Sequence, residues 1–269
     1  MNCQEKIEAI KKDGLEKLHV ICDFDRTMTT FEKGGSSYSP VRRLGFMPEE
    51  YGKKAMDLFY HYHPMEVDPL IPLDEKRAIM HEWWEAQFHL MASYGLKRQN
   101  LEALVGTNMV QLREGVLDFM NDLAERKIPM LILSAGFGDV IEIVLKEAGV
   151  YTDNVHVVAN FMEYDEKGKA IAYDPPIIHG LNKCEQDLGP YKAEVEVRPN
   201  VFLVGDMLGD ENMADGLAHD TVFKIGFNNK PSDENRAHYA AAFDHVIEDD
   251  WTWKEVNELW NQILSGGTL

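Results

Sequence analysis

Six short apolar runs, set apart by helix-patterned or turn-rich stretches, constrain this chain more than any other feature. They are Leu18 to Cys22, Met130 to Leu133, Val155 to Val158, Val201 to Val204, Val222 to Ile225 and His245 to Ile247. Unbroken apolar character over a few residues reads as a strand covered on both faces. The run at Met130 leads into a helix pattern carrying Val140, Ile141, Val144, Leu145 and Ala148, stopped by Gly149. Such alternation predicts an α/β fold with a doubly wound, mostly parallel sheet. One interval breaks the rhythm. From Lys33 to Thr107 the pattern is helical, clearest over Glu49 to Tyr62 and Asp74 to Tyr94. This predicts an inserted helical lobe at 33–107, with the α/β core made of 1–32 and 108–269. The Asp165-Glu166-Lys167-Gly168 turn, between Asn160 and Tyr173, predicts a β-hairpin.

The chain has 269 residues, 45% of them hydrophobic, enough for one sizeable core. A formal net charge of -19 argues against a nucleic-acid polymer or an anionic membrane surface as partner. If the substrate is an anion, a metal and a few basic side chains must attract it locally. Cys3, Cys22 and Cys184 are too few and too scattered for a disulfide framework or a Cys-x-x-Cys metal site, which fits a reducing cytoplasm. Met1 to Leu18 is charged and helical in pattern, and no run reaches membrane-spanning length. The expectation is a cytoplasmic monomer with a frayed Gly266-Gly267 end.

The polar residues just past each run carry the chemistry. In an open α/β sheet, ligands bind outside the carboxyl ends of the strands. Asp23 and Asp25 follow the first run two positions apart; by itself Asp-x-Asp reads equally as a solvated turn, a metal site or a nucleophile paired with an acid. The second run leads into Ser134-Ala135-Gly136-Phe137-Gly138-Asp139 and then a helix, which predicts a phosphate cradle of hydroxyl, glycines and helix-start amides. The fourth run leads into Gly205-Asp206-Met207-Leu208-Gly209-Asp210, two more acids at the same edge. Four acids near one point demand a cation. Oxygen ligands without clustered Cys or His favour Mg2+.

Taken together, Asp23-x-Asp25-x-Thr27, Ser134, Lys183 and Gly205-Asp206-x-x-Gly209-Asp210 resemble the four motifs of the haloacid dehalogenase (HAD) superfamily of phosphohydrolases, in order and in strand placement. A closer resemblance is to the cytosolic type III pyrimidine 5′-nucleotidases, carried by Asp23 to Phe31, His63 to Pro69, Ser134 to Asp139, Ala148 to Tyr151, Asn160 to Met162, Asn182-Lys183 and Gly205 through Gly216. The resemblance implies a Rossmann-like HAD core with a helical cap, and hydrolysis of nucleoside 5′-monophosphates. Asp23 would attack phosphorus to form an aspartyl-phosphate, and Asp25 would act as acid and then base. Mg2+ would be held by Asp23, the Asp25 backbone carbonyl and Asp206. Ser134 and Lys183 would hold the phosphate oxygens, helped by Thr27, Ala135 and Gly136, and Asp210 would orient Lys183 or a metal water. Glu66 matches the family's base-binding cap glutamate, favouring cytosine or a methylated guanine. Two departures touch base choice and the cap: the family pattern has a tyrosine at Trp84 and a serine at Gln87, and Gly35 to Gly45 lacks the cysteines of vertebrate members.

Each residue has a plainer alternative. Ser134 could cap a helix, Lys183 could be a surface lysine, and Glu66 a solvated turn acid. Trp83, Trp84 and Phe88 share helical spacing with Ile79, Met80 and Met91, which reads chiefly as core. His61 and His63 lack a third ligand nearby, so a zinc pair is not expected. Two other functions remain open: a receiver-like phosphoacceptor, which would need no cap, and a phosphatase for another small monoester such as phosphoserine.

Overall fold

In the computed structural model the six runs are strands of one sheet, and a seventh strand pairs with them. The structure describes residues 1–265 except 33, 34, 44, 69, 186, 187, 189, 190 and 250. Lys33, Gly34, Pro69 and the Gly266-Gly267 end therefore lie outside the described residues. In chain order the chief elements are α1 (Cys3–Asp13), β1 (Leu18–Cys22), α2 (Ser39–Arg43), α3 (Glu49–Val67), α4 (Leu73–Ser93), α5 (Arg98–Glu102), α6 (Val116–Arg126), β2 (Met130–Phe137) and α7 (Gly138–Glu147). They continue with β3 (Val155–Tyr164), β4 (Ala170–Asp174), α8 (Lys192–Val195), β5 (Asn200–Gly205), β6 (Thr221–Phe227), α9 (Asp233–Ala242), β7 (His245–Ile247) and α10 (Lys254–Leu264).

The strand order is β4-β3-β2-β1-β5-β6-β7. Every neighbouring pair is parallel except β3 and β4, which form the expected hairpin. The chain winds outward from β1 to one side and then returns to build β5, β6 and β7 on the other. Its direction reverses between β1 and β5, and an α/β sheet binds ligands at such a point.

Strand alternation divides the core. Leu18, Val20 and Cys22 face one layer with Phe119, Leu123, Trp253, Val256 and Trp260, so α1, α6 and α10 cover that side. Ile21 faces the other with Leu131, Leu203, Val195 and Met213. β1 and β5 are buried along their whole length, which explains why their sequences do not alternate. A third apolar cluster joins Val41, Tyr51, Phe88, Met91, Leu96 and Leu101 from the helical region to Phe137, Val140 and Met162 of the sheet layer. The helices between β1 and β2 thus pack among themselves and against one flank of the α/β core.

Two boundaries differ from expectation. β2 does not stop at Leu133 but runs through Ser134 to Phe137, with an irregular register against β3 between Leu133 and Phe137. The predicted loop is the irregular end of a strand, since its amides find partners there. α3 continues past Tyr62 to Val67 and carries Pro64 inside it, placing Glu66 on a helix rather than in a turn. Proline removes one rung donor, so local sequence alone argues for an earlier stop.

Candidate active site

The carboxyl ends of β1 and β5 are tied together where Asp23 N–H donates to Val204 O at 3.0 Å. Strand pairing thereby puts Asp23 beside Asp206, though they are far apart in sequence. Lys183 Nζ reaches both Asp23 Oδ1, at 2.5 Å, and Asp210 Oδ1, at 2.8 Å, and is almost wholly enclosed. A turn built on Asn182 aims it: the Asn182 side chain accepts from His179 N–H at 2.7 Å and donates to Ile177 O at 2.8 Å. Asp210 Oδ2 accepts the N–H groups of Asp206 and Met207, each at 2.9 Å. Gly205 permits that loop, because a Cβ there would lie 2.4 Å from Asp210 Cβ.

Asp23, Asp206 and Asp210 have carboxylate oxygens within 4.8 Å of one another, and all three are buried. Burial pushes the Asp23 carboxyl up to about 7, with Lys183 opposing the rise and Asp210 adding to it. Burial also pushes Asp206 well above the usual carboxylate range, reinforced by Asp23 and Asp210. Burial works against the Lys183 ammonium, but Asp210 and Asp23 overcome it and hold Lys183 above its usual range. One lysine against three acids leaves a negative excess. Asp210 spends its oxygens on Lys183 and two amides, so Asp23 and Asp206 keep the free lone pairs, a hard-oxygen pair that suits a dication such as Mg2+.

Asp25 is half-buried beside Ser37, whose N–H and Oγ donate to Asp25 Oδ1 and Oδ2, each at 2.7 Å. Burial raises the Asp25 carboxyl, and these bonds moderate the rise. Ser37 Oγ also accepts Phe137 N–H at 2.8 Å, and Ser134 Oγ accepts Gly136 N–H at 3.0 Å. Two amides expected to face an anion are therefore already paired with hydroxyls. A Cβ on Gly136 would lie 2.5 Å from Ser37 Oγ, 2.9 Å from Ser134 Oγ and 3.0 Å from Asp25 Oδ2, so glycine keeps this crevice open. Ala135 O accepts from Asn160 Nδ2 at 3.0 Å. Thr27 is fully buried, and its Oγ1 has no hydrogen-bond partner among the described residues.

The turn after Asp25 is strained and clamped. Arg26 has a left-handed φ of 69°, uncommon for a bulky residue. Arg113 donates to Arg26 O at 2.8 Å, Thr27 O at 2.9 Å and Asn229 Oδ1 at 2.8 Å. Asn229 Nδ2 then donates to Arg26 O at 3.0 Å and Asp206 Oδ2 at 3.1 Å, linking the two acid-bearing loops.

Glu66 and Gln87 lie on α3 and α4, bonded to neighbours in the helical region rather than to the strand-end cluster. Glu66 Oε2 is 3.1 Å from His63 Nδ1, and Gln87 Nε2 donates to Tyr51 OH at 3.0 Å. Trp83 and Trp84 are half-buried and only Phe88 is buried, so the tryptophans are less core than their spacing implied. Tyr38 stacks on Trp84 at 4.9 Å and on Phe137 at 5.7 Å between ring centroids. This ladder connects α4 to the end of β2. His61 and His63 belong to no metal-capable cluster among the described residues.

Ser37, Arg113, Asn229 and Tyr38 escaped the sequence reading. Ser37 sits in a Gly-Ser stretch without a motif, and Arg113 and Asn229 meet each other, Asp206 and the Arg26 and Thr27 carbonyls only across remote segments, which leaves no local signature. Only the tyrosine's aromatic character offered a signal.

Comparison with known proteins supplies the family. A model of the pyrimidine 5′-nucleotidase (UMPH-1) family matches residues 24–264. The 7-methylguanosine phosphate-specific 5′-nucleotidase of Gallus gallus is 37% identical over 265 residues, covering 96% of this chain and 92% of that protein. The crystal structure of cytosolic 5′-nucleotidase IIIB bound to cytidine superposes with a TM-score of 0.85 at 30% identity, covering 97% of this chain and 91% of that one. A substrate-bound phosphoserine phosphatase shares the fold, with a TM-score of 0.57 at 18% identity over 90% of this chain and 96% of that one. The nucleotidase matches span nearly the whole chain, core and helical region alike, and the chain belongs to the pyrimidine 5′-nucleotidase family of HAD-like phosphoric monoester hydrolases.

Proposed function

We propose that this 5′-nucleotidase hydrolyses nucleoside 5′-monophosphates to nucleoside and phosphate through an aspartyl-phosphate on Asp23. The reading rests above all on the Asp23 carboxylate, held by Lys183 at 2.5 Å at the sheet's reversal point. With Oδ1 fixed by the lysine, the other oxygen is left to attack phosphorus, and the P–O5′ bond breaks. Asp25 gives its proton to the departing O5′; its raised pKa favours the protonated form that this step needs. A water then attacks the phosphoryl group, Asp25 takes its proton, and Asp23 is released. Lys183 and Ser134 hold the non-bridging oxygens, and Gly136 leaves them room. Asp23 and Asp206 would hold Mg2+, with the Asp25 carbonyl as a further ligand, and Asp210 would keep Lys183 aimed. The ion, when bound, neutralises charge between the nucleophile and the phosphate dianion.

Residues 33–107 are read as a cap that closes over the nucleoside. The Trp84 ring, braced by Tyr38, offers the base an aromatic surface, Glu66 can accept from an exocyclic amine or ring N–H, and Gln87 lies on the same helix as Trp84. A relative specific for 7-methylguanosine phosphate and a neighbour bound to cytidine both fit a carboxylate that seeks a donor-bearing base. The neighbour's cytosolic setting fits the same soluble chemistry here, and no described helix is long and apolar enough to cross a membrane.

Phosphate release with Mg2+ from CMP, UMP, 7-methyl-GMP, AMP and phosphoserine, for wild type and Asp23→Asn, tests the reading. Turnover of a nucleotide by the wild type alone is expected. Turnover of phosphoserine alone would overturn the cap assignment, and equal turnover by Asp23→Asn would overturn the nucleophile.

A further inference from the structure

A second polar cluster is buried on the sheet away from the strand-end acids. His19 lies on β1, four positions before Asp23 and on the face shared with Ile21; Glu185 lies two positions after Lys183; His219 precedes β6. His19 Nε2 is 3.0 Å from Glu185 Oε1, and His219 Nε2 is 2.7 Å from Glu185 Oε2. Both oxygens of one carboxylate are thus met by imidazole nitrogens. The side chains of His19 and Glu185 are fully enclosed, and that of His219 is 5% exposed.

With Glu185 ionised and both imidazoles neutral, the hydrogen count at this cluster does not close. His19 Nδ1 is 3.0 Å from the Arg198 carbonyl, and a carbonyl oxygen only accepts, so Nδ1 carries the hydrogen. In the neutral ring, Nε2 then turns a lone pair toward a carboxylate oxygen. Two acceptors face each other at 3.0 Å in a site that excludes water. A proton or a metal ion must lie between them. His219 Nδ1 is also buried without a hydrogen-bond partner among the described residues, so this ring is held through Nε2.

We propose that His19, Glu185 and His219 form a second metal site, for a zinc-class divalent transition ion, distinct from the catalytic acids. Their ligand atoms lie within 4.8 Å of one another. Two imidazoles and a carboxylate suit zinc rather than magnesium, whose ligands are oxygens. The carbonyl of Arg198 does what a supporting partner does in a histidine metal site: it fixes the tautomer and aims the free nitrogen inward. A proton between His19 and Glu185, with neutral His219 donating through Nε2, would satisfy both Glu185 contacts; a metal ion would instead take all three side chains at once. The ion would staple β1 to the segment carrying Lys183, through Glu185, and to the stretch entering β6. Its role is structural, and it acts on the reaction only by holding Lys183 in place.

The test is made on the full chain, stripped with a chelator and dialysed against Zn2+ in excess Mg2+, which fills an oxygen-only carboxylate site. Elemental analysis should find one zinc per wild-type chain and none in His219→Gln or His19→Gln. Co2+ in place of zinc should give the wild type an intense visible spectrum of a four-coordinate ion held by two imidazole nitrogens and both Glu185 oxygens, absent from both variants. With Mg2+ kept in excess, a zinc-selective chelator should lower the Tm of the wild type and leave that of the folded variants unchanged. Zinc well below one per chain, or equal zinc in wild type and His219→Gln, would overturn the proposal and leave a proton on His19 as the charge. If neither variant folds, the wild-type Co2+ spectrum decides: a weak six-coordinate spectrum alone overturns it. None of these readouts depends on nucleotidase activity, so failure here is separate from failure of the proposed reaction.

Discussion

At the scale of single residues, the site is a problem of too many acids in too little water. Lys183 answers part of the charge of Asp23, Asp206 and Asp210, and burial leaves the rest unpaid. Replacing Asp23 by Asn should abolish turnover by at least about a thousandfold, since in the proposed reaction no other group forms the covalent intermediate. The same change should raise the Tm of the metal-free chain, because it removes one of the crowded charges. A fall in Tm measured by calorimetry would contradict the electrostatic account. Gly136→Ala should cost at least about tenfold in kcat/KM and roughly 1–3 kcal/mol of stability, because its methyl would overlap Ser37 Oγ, Ser134 Oγ and Asp25 Oδ2. Ser37→Ala removes the hydroxyl bond that favours ionised Asp25 and keeps the backbone N–H bond, so the limb of the pH-rate profile belonging to Asp25 should move to higher pH. Asp23, Asp25, Asp206 and Lys183 were legible in the sequence because each falls just past an apolar run or in a short motif. Ser37 was not, because its partner Asp25 is met only after the chain has folded back.

At the scale of elements, the ends of β1, β2 and β5 place the chemistry, and the helices between β1 and β2 place whatever lies above it. Tyr38 bridges the two, stacked between Trp84 of α4 and Phe137 at the end of β2. Tyr38→Leu keeps the apolar bulk and removes the stack. It should raise KM for nucleotides several-fold while leaving kcat within about twofold, since an aromatic pair contributes about 0.5–1.5 kcal/mol. A matching loss in kcat would show instead that the ring supports Asp25 or Ser134. The strands and the long helices were readable from periodicity. The extension of β2 past Leu133 was not, because Ser37 and Asn160 satisfy backbone groups of Phe137 and Ala135 that local sequence leaves open; nor was that of α3 past Pro64, because a proline argues locally for a stop.

At the scale of the whole molecule, the buried acids set a pH dependence that a cation should reverse. Asp23 and Asp206 have raised values in the folded chain, so the folded state binds protons there more tightly than the unfolded state. Metal-free stability therefore falls as pH rises from the usual 3.8 of Asp23 through its folded value of about 7. Mg2+ should restore it, raising the Tm more above pH 7 than at about pH 5, with protons released on binding. An equal shift at both values would show that the ion binds elsewhere. By itself the sequence determined the α/β class, the helical interruption after the first strand and the acids at the strand ends, because these follow from local periodicity and from short motifs. Only the tertiary structure decided which partners those acids keep: Ser37 on Asp25, the Arg113 and Asn229 clamp on the Arg26 turn, and the enclosed triad of His19, Glu185 and His219. Those contacts join segments remote in sequence, and no local pattern encodes a hydrogen bond whose second half arrives from the far side of the fold.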